Sequence, residues 1–275
     1  MRAEDIVEGL EMEIGLSSLY LMRKPFESLL ESIRLHDVRL WEIVDENSLK
    51  LDEHRIQSLL ELKRQRNLKF TVHAPFTDMN IASLVPEVRQ MAMRRLEQSM
   101  RYASQLEAEA WVMHPGLRGA LTTFYPNEEW RLNVEAIASL AALAKESGIQ
   151  MCLENMPKGF SALMNDYESF NLIHDELGWE EFKIVLDIGH ANTAGEVSTF
   201  LDRLSGQIVH VHAHDNQGRL DLHDEIGKGT VNWPSVAQKI KKCACRTVVV
   251  ESTKGVEASL ERLQELLGYS KTQSS

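Results

Sequence analysis

Nine side chains able to hold a metal ion follow one another along the chain: His73, His114, Glu154, Asp187, His190, His212, Asp221, His223 and Glu251. All are imidazoles or carboxylates. None is a thiolate, so the set suits a catalytic divalent ion more than a structural zinc. Zn²⁺ or Mn²⁺ fits best, with Fe²⁺ and Co²⁺ as further candidates. Four of the nine are acids. If they converge, they repel one another and raise their own pKa values unless a cation compensates them. One to three ions would do so.

Most of these residues end a short apolar run. His73 follows Phe70 to Val72, His114 follows Trp111 to Met113, and Glu154 follows Met151 to Leu153. Asp187 ends Ile184 to Leu186, His212 lies in Ile208 to Ala213, and Glu251 follows Thr247 to Val250. Apolar runs of this length bounded by Gly, Pro and Asn read as buried parallel strands. A ligand at the C-terminal end of strand after strand implies a closed barrel whose strand ends share one site.

Local patterns refine the set. Pro75 and Pro115 stop the chain just after His73 and His114. A carboxylate such as Glu154 at the end of an apolar strand is costly unless paired or coordinated. Gly189 is expected to turn the chain so that His190 comes back over the rim. His210, His212 and His214 share one strand face. His212 is the expected ligand and His210 a packed core histidine. His214 or Asp215 would orient a ligating ring. Asp221 and His223 lie on one side of a loop that ends at Gly227 and Gly229.

Each interval between these strands holds a helical pattern, as βα repetition requires. One face carries Val88, Met91, Leu96, Met100 and Leu106. Another carries Trp130, Val134, Ile137, Leu140 and Leu143 and stops at Gly148. Further helices stop at Gly178 and Gly268, the expected signal just past a periodic run. Pro25 opens a helix with Phe26, Leu29, Leu30 and Ile33. Strands from Leu10 to Leu16 and from Val38 to Ile43 bring the count to eight. The expected fold is a single (β/α)8 TIM barrel over residues 1–270 with a polar tail, 271–275.

The formal net charge is -11, and no basic stripe is evident. This disfavours a nucleic-acid partner. No secretory leader or membrane-spanning run is read, and Cys152, Cys243 and Cys245 suggest a reducing compartment. The expectation is a cytoplasmic protein, compatible with a homo-oligomer. Trp41 and Trp233 are read as packing residues.

The chain resembles the xylose isomerase-like barrel superfamily, over about residues 36–255. The resemblance lies in His73-Ala-Pro, His114-Pro-Gly, Glu154-Asn, Asp187 with His190, His212 with Asp215, Asp221 with His223, Gly227 with Gly229, and Glu251. That group includes sugar and sugar-phosphate isomerases and epimerases, and zinc-dependent apurinic-site endonucleases. The endonuclease pattern implies His73, His114 and Glu154 on one zinc, and Glu154, Asp187, His212 and Glu251 on a second. His190, Asp221 and His223 would hold a third. The epimerase pattern implies one metal on Glu154, Asp187, His212 and Glu251, with Glu154 and Glu251 also moving protons. Phe76 stands where the endonucleases tend to have Tyr, and the loop from Asp45 to Glu53 is acidic where they grip DNA.

The expected function is therefore a divalent-metal-dependent isomerase or epimerase of a sugar, sugar phosphate or related polyol. Glu154 and Glu251 are the expected catalytic pair. Phe76, Lys158 and Arg219 are the expected substrate contacts, with Arg118 and Lys228 as further loop cations. The alternative is an apurinic-site endonuclease-like phosphodiesterase.

Overall fold

The computed structural model describes residues 12–159 and 161–269. Eight parallel strands close into a barrel in sequence order. They are β1 (Glu13–Ser17), β2 (Leu40–Val44), β3 (Lys69–His73), β4 (Trp111–Met113), β5 (Met151–Glu154), β6 (Lys183–Asp187), β7 (Ile208–Ala213) and β8 (Thr247–Val250). β1 pairs with β8 and seals the ring. Among the described residues, nine helices surround it: α1 (Phe26–Leu35), α2 (Glu53–Arg66), α3 (Pro86–Gln105), α4 (Glu128–Ser147), α5 (Tyr167–Leu177), α6 (Ile188–Ala194), α7 (Val197–Arg203), α8 (Trp233–Ile240) and α9 (Val256–Leu267). The protein is a single (β/α)8 TIM barrel.

The first strand differs from the sequence reading. Leu10 and Glu11 lie outside the described residues, as do residues 271–275. Glu13, an acid at odds with a buried strand, sits at the open base of the barrel. There its carboxylate lies 2.7 Å from Lys69 Nζ. β1 also approaches β2 closely. A Cβ on Gly15 would collide with the Leu40 carbonyl oxygen and come within 2.7 Å of Leu40 Cβ.

Helix ends follow the chemistry of their caps. Asp52 accepts from Arg55 N and starts α2. Asp166 and Ser169 cap each other at α5. Gly148 and Gly268 stop α4 and α9 in the left-handed region, at φ of 66° and 86°, where glycine meets no Cβ penalty. The buried face of α3 is shifted from the expected one. It uses Ala92, Leu96, Ser99, Met100 and Ala103. Small residues let the helix approach the barrel. Val88 lies in the first turn and Met91 is rotated ~100° from Ala92, so both are over a third exposed.

The outer core packs strand against helix with Trp41, Phe70, Trp111, Phe170, Phe182 and Phe200, all fully buried. Trp233 is buried too, and its Nε1 donates to Asp215 Oδ2 at 2.9 Å. Both tryptophans pack, as expected. Replacing Gly15 by Ala should cost about 1–3 kcal/mol by overpacking. Urea denaturation of G15A should show a lowered midpoint at unchanged slope. A wild-type midpoint would show that the β1–β2 approach is not tight.

Candidate metal centre

Register delivers the ligands to one end. Val44 is level with His73, Glu154 with Val185, and Asp187 with His212. His114, His214 and Glu251 each stand one residue beyond β4, β7 and β8. Asp221 and His223 come from the loop after β7, where His223 adopts φ 47°. All nine expected residues meet at the C-terminal mouth.

Asp187 both ends β6 and caps α6, accepting from His190 N at 2.6 Å. The helix starts without a turn, and this brings His190 over the rim. Gly189 is therefore not needed for a turn. It sits in the first turn of α6, and a Cβ there would collide with the His214 ring. Asn155 braces the same corner. Its Nδ2 donates to Asp187 O at 3.0 Å, and its Oδ1 accepts from Asp187 N at 2.8 Å.

Three groups of donors form, each with ligand atoms within 4.8 Å of one another. In the first, His73 Nε2 and His114 Nε2 each lie 3.2 Å from Glu154 Oε2. In the second, His212 Nδ1 lies 3.2 Å from Glu154 Oε1, 3.3 Å from Glu251 Oε2 and 3.8 Å from Asp187 Oδ2. In the third, Asp221 Oδ2 lies 3.2 Å from His190 Nε2 and 3.0 Å from His223 Nε2. His214 joins this third group, 3.5 Å from Asp221 Oδ1 and 3.0 Å from Asp187 Oδ1. A fourth group, Glu42 with His210 and His212, lies deeper in the barrel.

The donors fit divalent ions. His73, His190 and His223 each donate from Nδ1 to a backbone carbonyl, of Ala74, Asn155 and Glu251, at 2.8 to 3.0 Å. Their Nε2 lone pairs are thereby left for a metal. Asp221 Oδ1 is buried without a hydrogen-bond partner among the described residues. Donors of this type, converging from separate strands, are a nitrogen and oxygen ligand set.

Other expected residues fall elsewhere. Phe76 is half-buried at the mouth, its ring 5.4 Å from His73 and 5.5 Å from His114. A cavity of about 170 Å³ opens there, walled by Leu19, Phe76, Met79, Leu117, Met156 and Pro157 above the ligands. Lys158 and Arg219 are exposed and do not line it. Arg118 donates to Ala162 O, and Lys228 pairs with Glu225. Asp215 meets a donor only through its backbone, whose carbonyl lies 3.4 Å from His214 Nδ1; its carboxylate serves the loop. It gathers the Asn216, Gly227 and Val231 amides and the Trp233 indole.

The acidic loop after β2 does not present all its charge to a ligand. Asp45 is buried against Arg95, and Glu46 accepts from the Phe76 and Thr77 amides. Sequence reading passed over Glu42. The signal was available, since a lone acid inside Leu40–Val44 breaks an apolar strand just as Glu154 does.

Charges at the site are interlocked. Burial opposes ionisation of Glu154, but His212 and His114 hold its carboxyl well below the usual range. Burial likewise disfavours charged His190, yet Asp187 and then Asp221 raise it to about 10. His73, against the same penalty, is raised to about 9 by Glu154. His223 is raised to about 9, chiefly by Asp221. Unfolded histidine titrates near ~6.5. Without metal, these three rings therefore bind protons more tightly when folded. Their stabilisation is complete below about 6.5 and is lost as pH rises through 9 to 10. The melting temperature of metal-free protein should fall between pH 7 and 10. Zinc binding at pH 8 should release protons. Titration calorimetry in buffers of different ionisation enthalpy measures that release, and buffer-independent heats would contradict it.

Comparison with known proteins agrees with the geometry. A family model described as xylose isomerase-like TIM barrel matches residues 31–270. An uncharacterised protein of Methanocaldococcus jannaschii is 34% identical over 263 residues, covering 94% of this chain and 90% of its own. A solved structure described as a D-tagatose 3-epimerase-like protein superposes with a TM-score of 0.87 at 34% identity, covering 94% of this chain and 97% of that one. A probable endonuclease 4 of Mycobacterium leprae is 23% identical over 220 residues, covering 76% and 83%. From residue 31 to residue 270, then, the chain belongs to the xylose isomerase-like TIM barrel family.

Proposed function

We propose that the protein is a divalent-metal-dependent isomerase or epimerase acting on a small sugar or related polyol. The observation that carries this reading is the approach of two glutamates to one histidine. Glu154 from β5 and Glu251 from β8 both reach His212 Nδ1, at 3.2 and 3.3 Å. Two carboxylates from separated strands can flank a small substrate and work on opposite faces of one carbon.

Glu154, Asp187, His212 and Glu251 would hold the ion. When bound, it would supply Lewis-acid polarisation of the substrate carbonyl. Glu251 is steadied by Ser17, whose Oγ donates to Oε1 at 3.3 Å. It takes the proton from the carbon beside the carbonyl. The C–H electron pair moves into the carbonyl and leaves an enolate of the substrate. Glu154, entering this step with a proton, gives it to the opposite face of the same carbon for epimerisation. The carbonyl re-forms, leaving Glu251 protonated and Glu154 ionised. For isomerisation Glu251 instead returns its proton to the former carbonyl carbon, while the hydroxyl proton of the first carbon passes to the carbonyl oxygen. Phe76, Leu19 and Met156 exclude water from the basic carbon. The likeness to a D-tagatose 3-epimerase-like structure supports the same class.

A second reading, phosphodiester hydrolysis at abasic DNA, is favoured by one observation. The first and third donor groups exceed what proton transfer on a single ion needs. Against it stand the net charge of -11 and a cavity wall without Lys or Arg among the described residues. A polyanion binds through such cations.

On a panel of ketoses, E251Q should lose about 10²–10⁴-fold in kcat while H73A and H114A lose less. Deuterium from solvent should enter the product at the reacting carbon. Nicking of abasic DNA that depends on His73, His114 and His190 would overturn the sugar reading. Stripping with a chelator should lower the melting temperature, and Zn²⁺ or Mn²⁺ at 100 times its Kd should restore about 2.7 kcal/mol. A melting temperature indifferent to both treatments would count against a metal centre.

A further inference from the structure

Beneath the carboxylate cluster the barrel departs from its usual filling. TIM-barrel interiors are packed mainly with branched apolar side chains. Here Glu42 occupies the interior from the middle of β2, with no exposure at all. A lone carboxylate at this depth is costly unless its oxygens are fully used.

Its neighbours account for one oxygen completely. Thr71 Oγ1 donates to Glu42 Oε2 at 3.0 Å. His210 Nδ1 lies 2.6 Å from Thr247 Oγ1, and its Nε2 lies 3.1 Å from the same Oε2. A carboxylate can only accept, so His210 carries its proton on Nε2 and takes the threonine hydroxyl on Nδ1. The second oxygen, Oε1, faces His212 Nε2 at 3.0 Å. The contact is off the hydrogen-bond axis, and neither atom has a hydrogen-bond partner among the described residues. Two acceptors would not rest face to face at that distance. The proton therefore belongs on His212 Nε2.

His212 is also the reverse of the other site histidines. His73, His190 and His223 give Nδ1 to a backbone carbonyl and turn Nε2 to the cluster. His212 turns Nδ1 to the cluster, and what stands behind its Nε2 is a carboxylate. A carboxylate behind a ligating imidazole fixes the tautomer and makes the ring a stronger donor.

We propose that Glu42 is a positioning residue. It holds His212 with the proton on Nε2, so that Nδ1 presents its lone pair to an ion shared with Glu154, Asp187 and Glu251. Thr71, His210 and Thr247 brace Glu42 in turn. The proposal rests on reading those four residues as a metal site.

The first test needs no variant. In ¹⁵N-labelled, zinc-loaded wild type, two-bond ¹H–¹⁵N correlation should show His212 protonated at Nε2 and ligated through Nδ1. Ligation through Nε2 would overturn the proposal. The second test uses E42Q, whose amide can offer an N–H to His212 and favour the other tautomer. Competition against a chromophoric zinc chelator should show one binding step weakened by about 10–100-fold, with the remaining steps unmoved. Near-UV circular dichroism checks that E42Q keeps its packing, and if it does not, the wild-type spectrum decides alone. Equal zinc affinities in E42Q and wild type would sink the role of Glu42 while leaving the metal centre standing. Wild type that binds no zinc would sink both. An ion located by anomalous scattering between Glu42 and His212 would also overturn the proposal, because Nε2 would then be a ligand.

Discussion

Convergence of buried carboxylates is the constraint on which the rest of this structure turns. Glu42, Glu154, Asp187 and Glu251 are all nearly or fully buried at the barrel axis, and Asp221 is close by. Like charges this near cannot all remain ionised in a low dielectric without compensation. The chain answers with histidines at the ends of β3 and β4, in β7 and α6 and in the loop after β7, and not with lysine or arginine. Imidazole can give up its proton to admit a metal, whereas a guanidinium cannot. A site compensated by Arg would be permanently closed to cations. One compensated by His stays open to them.

A parallel barrel suits this task because it separates two jobs. The outward faces of the strands pack Trp41, Phe70 and Trp111 against the helices, and this is where the apolar burial lies. The inward faces are then free to carry charge. A small apolar cluster, Ala110, Val112, Cys152 and Val185, packs apart from that outer core. Below it, a cavity of about 680 Å³ opens at the opposite end, bordered by Lys69, Lys183 and Arg246. Glu42 and His210 lie between that cavity and the cluster. Thr71, Glu42 and His210 thus form a polar layer within the interior, intelligible as support for the donors above.

Much of the architecture was legible because strand and helix periods differ so clearly. The ligand series itself marked six strand ends. What could not be read depends on approach in space. The base of β1 tolerates Glu13 only because Lys69 lies opposite, on a strand two positions around the ring. The α3 face is set by Ala92 and Ser99, small residues that carry no hydropathic signal. Gly189 was expected for a turn, yet its smallness serves the His214 ring. Lys158 and Arg219 follow the right strands but stay exposed, since loop length says nothing of where a long side chain settles. Glu42 was visible as an anomaly, but its meaning required knowing that His210 and His212 sit behind it.

Shape and charge at the mouth narrow what the cluster can serve. The cavity over it is about 170 Å³, below the usual ~300–1,000 Å³ of drug-sized ligand pockets. Its collar is apolar, and its polar groups are the metal donors themselves. A phosphorylated substrate would bring dianionic charge beside Glu154, Glu251 and Asp221, with no cationic side chain in the wall among the described residues to meet it. Ions held there would offset part of that charge, but the carboxylates would already draw on the ions. A small neutral polyol avoids the conflict. It can offer a carbonyl and hydroxyl to the ions and its C–H face to Phe76 and Leu117. On the proposed reading, the wall that would keep water from an acidified carbon would also disfavour a polyanion.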